Sequence, residues 1–183
     1  MRTSVPEQLL KVIDEIDEYG QANLTRLMVL KKWFARPTRL SAFALWVAGR
    51  AVSRRGKTSG AAATLFLEAR TILVGLDPIT PQLDRQAAGR LHDHLRDYQN
   101  EYKNQKWGPV RIVRNLNLLL VEEALSIYLW HVQSPSHGYR LAADYCRHYD
   151  PRYGESLNGP SRTKIAEIVR FMFSVEALED ERT

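Results

Sequence analysis

The sequence predicts an all-α fold, a single-domain bundle of about seven or eight helices packed around one central apolar helix at about residues 110–133. Three observations lead there. Between turn signals the apolar residues recur at intervals of three and four, and no segment carries the strict alternation of a half-buried strand. The segment ends carry capping and stop residues in the positions that bound helices. With 183 residues and 44% apolar content, the chain is long enough to bury one core without disulfide or metal staples, so residues 1–183 read as one domain.

Ser4 and Glu7 form a capping-box pattern, with Pro6 tolerated in the first turn, and predict a helix over about 5–19 that Gly20 ends. Asn23 caps a second helix carrying Leu24, Leu27, Met28, Leu30 and Phe34, stopped before Pro37. The third runs from about Thr38 to Arg55 with Leu40, Phe43, Ala44, Val47 and Ala51 on one stripe. The fourth, "AAATLFLEARTILV", is capped by Thr58 or Ser59 and ends at Gly75. Thr80 caps and Pro81 starts a long fifth helix whose apolar face is Leu83, Ala87, Leu91, Leu95, Tyr98 and Tyr102. After the break "KWGPV", the sixth helix is apolar on almost every side from Leu116 to Trp130, which marks it as the central one. The turn "SPSHG" precedes a short helix over about 139–149. A last helix runs from about Arg162 to Leu178, followed by a frayed acidic tail at about 179–183.

Cys146 is the only cysteine, so neither an intramolecular disulfide nor a multi-cysteine zinc site can form within one chain, which fits a reducing cytoplasm. The N-terminus "MRTSVPEQLL" lacks the basic-then-apolar pattern of an export signal. The best apolar run, "SAFALWVAG", is about half of the roughly 20 residues a membrane helix needs. A soluble, unexported protein with no membrane partner is expected.

The net charge of +5 is modest, but its distribution is not even. From Tyr19 to Leu67 there is no acid, while Arg26, Lys31, Lys32, Arg36, Arg39, Arg50, Arg54, Arg55 and Lys57 all lie there. Such segregation is a footprint for a polyanion; alternatively, the acidic first helix, with Asp14, Glu15, Asp17 and Glu18, neutralises the basic ones.

Within this stretch, "AVSRRGKTSG" spells Ala-x-x-x-x-Gly-Lys-Thr over Ala51–Thr58, the relaxed form of a phosphate-binding P-loop. A true P-loop follows a buried strand. Here the preceding residues have helical spacing, and the aspartate ending "ILVGLD" comes only twenty positions after Lys57, leaving no room for parallel crossovers. The stretch reads instead as a helix-to-helix turn, with Gly56 ending one helix and Thr58 or Ser59 capping the next. Its free amides beside Arg54, Arg55 and Lys57 make it an anion-binding turn. Arg50, Arg54 and Lys57 share a face, and with Arg36 and Arg39 they can track a nucleic-acid backbone without reading its sequence.

A second zone, "HGYRLAADYCRHYDPRY", interleaves Tyr139, Tyr145, Tyr149 and Tyr153 with Arg140, Arg147, His148 and Arg152, rings beside cations on which bases stack. Alternatively, Tyr145 and Tyr149, four apart, are the apolar face of a short helix. In the fifth helix, His92, Asp93, His94 and Asp97 have metal-ligand chemistry, but His92 and His94 point to different faces and no third ligand is near, so no metal is expected. Glu122 and Glu123 inside the apolar sixth helix must find partners, protonate or line a cleft.

The octapeptide "RQAAGRLH", Arg85 to His92, resembles the Arg-x(4–6)-His pattern of the HEPN family of helical ribonucleases. That resemblance implies an arginine and a histidine acting on a scissile phosphate, usually across a dimer. It covers this octapeptide alone, and Gln86 departs from the residues common after the arginine.

The expectation is a non-enzymatic cytoplasmic binding protein without a cofactor, whose basic surface engages RNA or DNA backbone. Arg36, Arg39, Arg50, Arg54, Arg55, Lys57, Thr58 and Ser59 form one contact zone, and Tyr139, Arg140, Arg147 and Tyr149 a second. The alternative is a helical protein-interaction or homodimerisation module with Trp33, Trp46 or Trp107 as anchors. Third comes a HEPN-like ribonuclease or other phosphate-handling enzyme.

Overall fold

The computed structural model describes residues 32–53, 60–77, 81–104, 116–130, 134–147 and 162–181. Among these residues 85% are helical and none is in a strand, so the chain is mostly helical. Six helices are described where the sequence predicts seven or eight: α1 (Pro37–Ser53), α2 (Ala61–Leu73), α3 (Arg85–Asn104), α4 (Leu116–Leu129), α5 (Pro135–Arg147) and α6 (Arg162–Asp180). The expected helix over 5–19, and most of the one after Asn23, lie outside the described residues. The chain divides into two compact units. A terminal unit takes residues up to Leu40 and those from 134 onward, and an inserted unit begins at Ser41 and holds α2, α3 and α4.

In the terminal unit, α5 packs against α6. Pro37 takes the first position of α1, and the Arg36 carbonyl accepts from the Leu40 amide at 3.1 Å, closing the first turn where the missing proline N–H costs nothing. Trp33 and Phe34 are buried, with Trp33 edge-on to Phe34 at 5.4 Å and to Phe171 of α6 at 6.3 Å. α6 buries Ile168, Val169, Phe171, Met172 and Val175 at helical spacing. α5 starts earlier than expected: "SPSHG", read from the sequence as a turn, is its first turn, because Pro135 suits a first helical position. Gly138 there is tightly enclosed. A Cβ on it would lie 2.6 Å from Leu40 Cδ1 and 2.7 Å from Phe34 Cγ, so the absence of a side chain is what lets α5 approach.

In the inserted unit, α3 packs against α4, and α2 contacts both. The expected stripe on α1 is buried throughout, at Leu40 in one unit and at Phe43, Ala44, Val47 and Ala51 in the other. Each fully buried Leu, such as Leu91, Leu95 or Leu118, contributes about 1.5–3 kcal/mol of transfer free energy. From Asn117 to Leu129 no side chain of α4 is exposed, which is the all-round burial its composition predicts. A central place for α4 in the whole bundle is not shown; its described neighbours are α3 and α2, and Trp130 just beyond its end is 64% exposed.

Two further helix starts differ from expectation. α3 begins at Arg85 rather than Pro81, since Pro81–Asp84 is not helical. Asp84 Oδ1 accepts from the Gln86 amide at 2.9 Å and the Ala87 amide at 3.3 Å, and a carboxylate is a stronger cap than a threonine. α2 is preceded by Gly60 rather than by Thr58 or Ser59, with φ 60° and ψ −141° and no side-chain cap hydrogen bond. Only glycine holds that backbone readily, and its carbonyl accepts from the Ala63 amide at 3.1 Å. α2 ends as predicted, at Gly75 with φ 89°.

Candidate functional site

The strongest sequence signal falls between α1 and α2. Ser53 ends α1, with its hydroxyl donating to the Gly49 carbonyl at 2.7 Å, and Arg50 is exposed in the last turn. Gly60 and Ala61 are exposed at the start of α2. Arg54, Arg55, Lys57, Thr58 and Ser59 lie outside the described residues. The described ends of this segment are thus an exposed arginine in the last turn of one helix and, at the start of the next, an N-cap glycine that has no side chain to cap with. The dipole of α2 adds partial positive charge at that N-terminus.

Arg36 and Arg39, assigned from the sequence to the same basic surface, have acidic partners in the terminal unit. Arg39 Nη2 lies 2.5 Å from Glu179 Oε2, and its Nε lies 3.1 Å from both oxygens of that carboxylate. Glu176 lies 3.6 Å away, and the Arg39 guanidinium sits 5.2 Å above the Trp33 ring. Arg36 Nη1 reaches Glu179 at 3.2 Å. The neutralising acids described for these two arginines come from α6, and Glu179 and Asp180 belong to the helix rather than to a frayed tail. The Arg39 hydrogen bonds, reinforced by its charge, hold the Glu179 carboxyl below its ordinary 4.5 despite partial burial. Glu176 moves the other way: burial pushes it up, against the opposing charge of Arg39. The buried Trp33 indole N–H has no hydrogen bond of good geometry, yet lies near enough to Glu176 to favour its charged form.

The second predicted zone is divided. Tyr145, which the stacking reading needs exposed, is 1% exposed and belongs to the core, as the apolar-face alternative has it. Its hydroxyl donates to Glu167 Oε2, and the buried Lys164 lies 3.3 Å from that carboxylate with its ammonium 4.8 Å from the Tyr145 ring centroid. This trio, drawn from α5 and α6, satisfies a lysine that would be costly to bury alone. Arg140 is exposed; the side chains of Tyr139 and Arg147, and Tyr149 altogether, lie outside the description.

A constellation that sequence spacing does not reveal sits between α3 and α4. His92 is 3% exposed, with Nε2 3.0 Å from Ser126 Oγ and 3.5 Å from Glu122 Oε1. Its Nδ1 lies 3.6 Å from Asp93 Oδ1, beyond hydrogen-bond range, and its ring stands edge-on to Trp130 at 6.0 Å. A serine hydroxyl on a histidine nitrogen is the opening geometry of a nucleophile and its base. Here the ring is enclosed, and Ser126 stands mid-helix, where the neighbouring amides of α4 are committed to the helix and are not free to meet a developing oxyanion. The arrangement ties α3 to α4 and sets the Glu122 carboxylate, itself part-exposed, beside His92. The i, i+4 spacing of Glu122 and Ser126 was the available signal; nothing local pointed to His92 as their neighbour.

Arg85 donates through Nη2 to the Leu129 carbonyl at 2.7 Å and lies over the Tyr128 ring at 5.4 Å. Arg85 and His92, the pair carrying the ribonuclease resemblance, thus both engage α4. His94 pairs with Glu68 of α2 at 3.1 Å, away from His92. Among the described residues no three His, Cys, Asp or Glu side chains gather as a metal site, and no helix is long and apolar enough to cross a membrane. Of the tryptophans considered as interface anchors, Trp33 is core, Trp46 is half-buried and stacked on Phe43 at 5.8 Å, and Trp107 lies outside the described residues. Among the described tryptophans, Trp130 is the exposed one. Comparison with protein-family models, with curated proteins and with solved structures finds no match to this chain.

Proposed function

We propose that this chain is a cytoplasmic, non-enzymatic binding protein whose basic segment between α1 and α2 engages the phosphate backbone of RNA or DNA. The observation that carries the reading is the N-terminus of α2: Gly60 precedes it and has no side chain to cap it, the helix dipole favours an anion there, and Arg50 is exposed at the end of α1. In sequence, Arg54, Arg55 and Lys57 connect the two, and no acid interrupts the stretch. Arg36 and Arg39 are best left out of this surface, since each already has Glu179. Contacts to phosphate position a chain without reading bases, so the expected binding is sequence-independent.

The test is fluorescence anisotropy of a labelled single-stranded RNA and a duplex DNA, titrated at several salt concentrations. Binding whose logarithm falls steeply with the logarithm of salt, and which is lost when Arg54, Arg55 and Lys57 are all replaced by Ala, supports the proposal. Affinity retained in the triple variant, or no binding at low salt, overturns it.

A second reading, a protein-interaction module, is favoured by a separate observation. Leu67 and Val74 of the α2 region, seven apart and therefore on one face, are 69% and 50% exposed.

A further inference from the structure

We propose that α6 is a self-docking face through which two copies of this chain associate in antiparallel fashion. This deepens the interaction-module reading and is independent of the anion-binding one, because α6 carries none of the residues assigned to the anion. The helix is two-sided. Ile168, Phe171, Met172 and Val175 face the core of their own unit, while Arg170, Phe173, Ser174, Ala177 and Glu181 are exposed. At about 100° per residue, Arg170, Ser174, Ala177 and Glu181 follow the centre line of the solvent face, and Phe173, 59% exposed, stands at its edge.

Read backwards, this line is complementary to itself. A twofold axis midway between Ser174 and Ala177 sets Arg170 of each copy level with Glu181 of the other, and lays Phe173 over Ala177 of the other. The two small residues at the crossing permit close approach. The Ser174 hydroxyl already donates to the Arg170 carbonyl at 2.9 Å, so covering it leaves no unsatisfied donor. Parallel pairing would set Arg170 against Arg170 and Glu181 against Glu181, so charge selects the antiparallel register.

The acidic end of α6 adds a reason for the partner. Glu179, Asp180 and Glu181 crowd a helix C-terminus, where the macrodipole disfavours negative charge. Glu179 is compensated by Arg36 and Arg39 of its own chain, and the pairing brings Glu181 the Arg170 of a second copy. One helix face buries less than the roughly 1,200–2,000 Å² of a stable interface, so the association is weak and depends on concentration.

Sedimentation velocity of the full chain across the micromolar to millimolar range tests this. The wild type moves from monomer towards dimer as concentration rises. Phe173→Glu and Arg170→Glu each raise the dissociation constant roughly tenfold or more, and the exchange Arg170→Glu with Glu181→Arg restores it to within about threefold of wild type. All changes are at exposed positions, and unchanged far-ultraviolet circular dichroism confirms that each variant folds. A monomer at every concentration, a dimer indifferent to both single variants, or a charge exchange that fails to restore association overturns the proposal. None of these outcomes alters the nucleic-acid titration, which reads a different unit of the chain.

Discussion

Arg39 and Glu179, 140 positions apart in sequence, meet through three contacts, with Nη2 at 2.5 Å from one carboxylate oxygen and Nε at 3.1 Å from both. The pair fastens the start of α1 to the end of α6 within the terminal unit, and the guanidinium also covers Trp33. Arg39→Ala removes charge-assisted hydrogen bonds and this packing together, and is expected to cost about 1.5–3 kcal/mol in urea denaturation. Arg39→Lys should recover only part, because an ammonium cannot reproduce the planar fork that meets two oxygens and stacks on the indole.

The same cluster gives the stability of the chain a two-signed dependence on pH. Burial raises Glu176 above its ordinary 4.5, so the folded state binds that proton more tightly than the unfolded one, and stability increases as pH falls towards 4.5. The hydrogen bonds from Arg39 depress Glu179, so its contribution is fully present above 4.5 and is lost as pH falls through the lower folded value. Urea midpoints measured from about pH 7 down to about pH 3 should therefore rise slightly and then drop. In Arg39→Ala the depression of Glu179 weakens and the elevation of Glu176 grows, so the difference from wild type should shrink below pH 4.5.

Gly138→Ala sets two effects against each other. Alanine favours a helix over glycine by about 1 kcal/mol, whereas an added methyl in a filled core costs typically 1–3 kcal/mol. Phe34 and Leu40, which a Cβ would strike at under 3 Å, are both almost fully buried and have little room to move. The substitution should destabilise the chain on balance, and Gly138→Val should do so severely. Thermal unfolding followed by circular dichroism reads both; a stabilising alanine would mean that α5 sits farther from those side chains than the structure places it.

Asp84→Ala removes the cap of α3 and should cost about 1 kcal/mol, with Asp84→Ser or Asp84→Asn recovering most of it. Hydrogen exchange should show the loss first at the amides of Gln86 and Ala87. Protection unchanged at those two amides would place the start of the helix elsewhere.

The sequence by itself determined what depends on neighbours along the chain. Helical hydrogen bonds join residues four apart, so the periodicity of Leu40, Phe43, Ala44, Val47 and Ala51 announced both the helix and its buried face, and Gly75 announced an end. All-round burial of α4 was likewise legible in its composition. Starts were less so, because several residues compete to cap one helix. Asp84 prevailed over Thr80, and Gly60 took a backbone conformation closed to Thr58 and Ser59.

Only the tertiary structure decided which charges meet. Arg36 and Arg39 belonged by sequence to an uninterrupted basic stretch, yet the fold gives them Glu176 and Glu179 from the far end of the chain. Tyr145 looked like a stacking surface and became a buried donor to Glu167, while Lys164 entered the core because that carboxylate was there to receive it. His92 found Ser126 thirty-four positions away. A buried polar group is tolerated only where its partner converges on it, and convergence is a property of helices packed in space that no local pattern encodes.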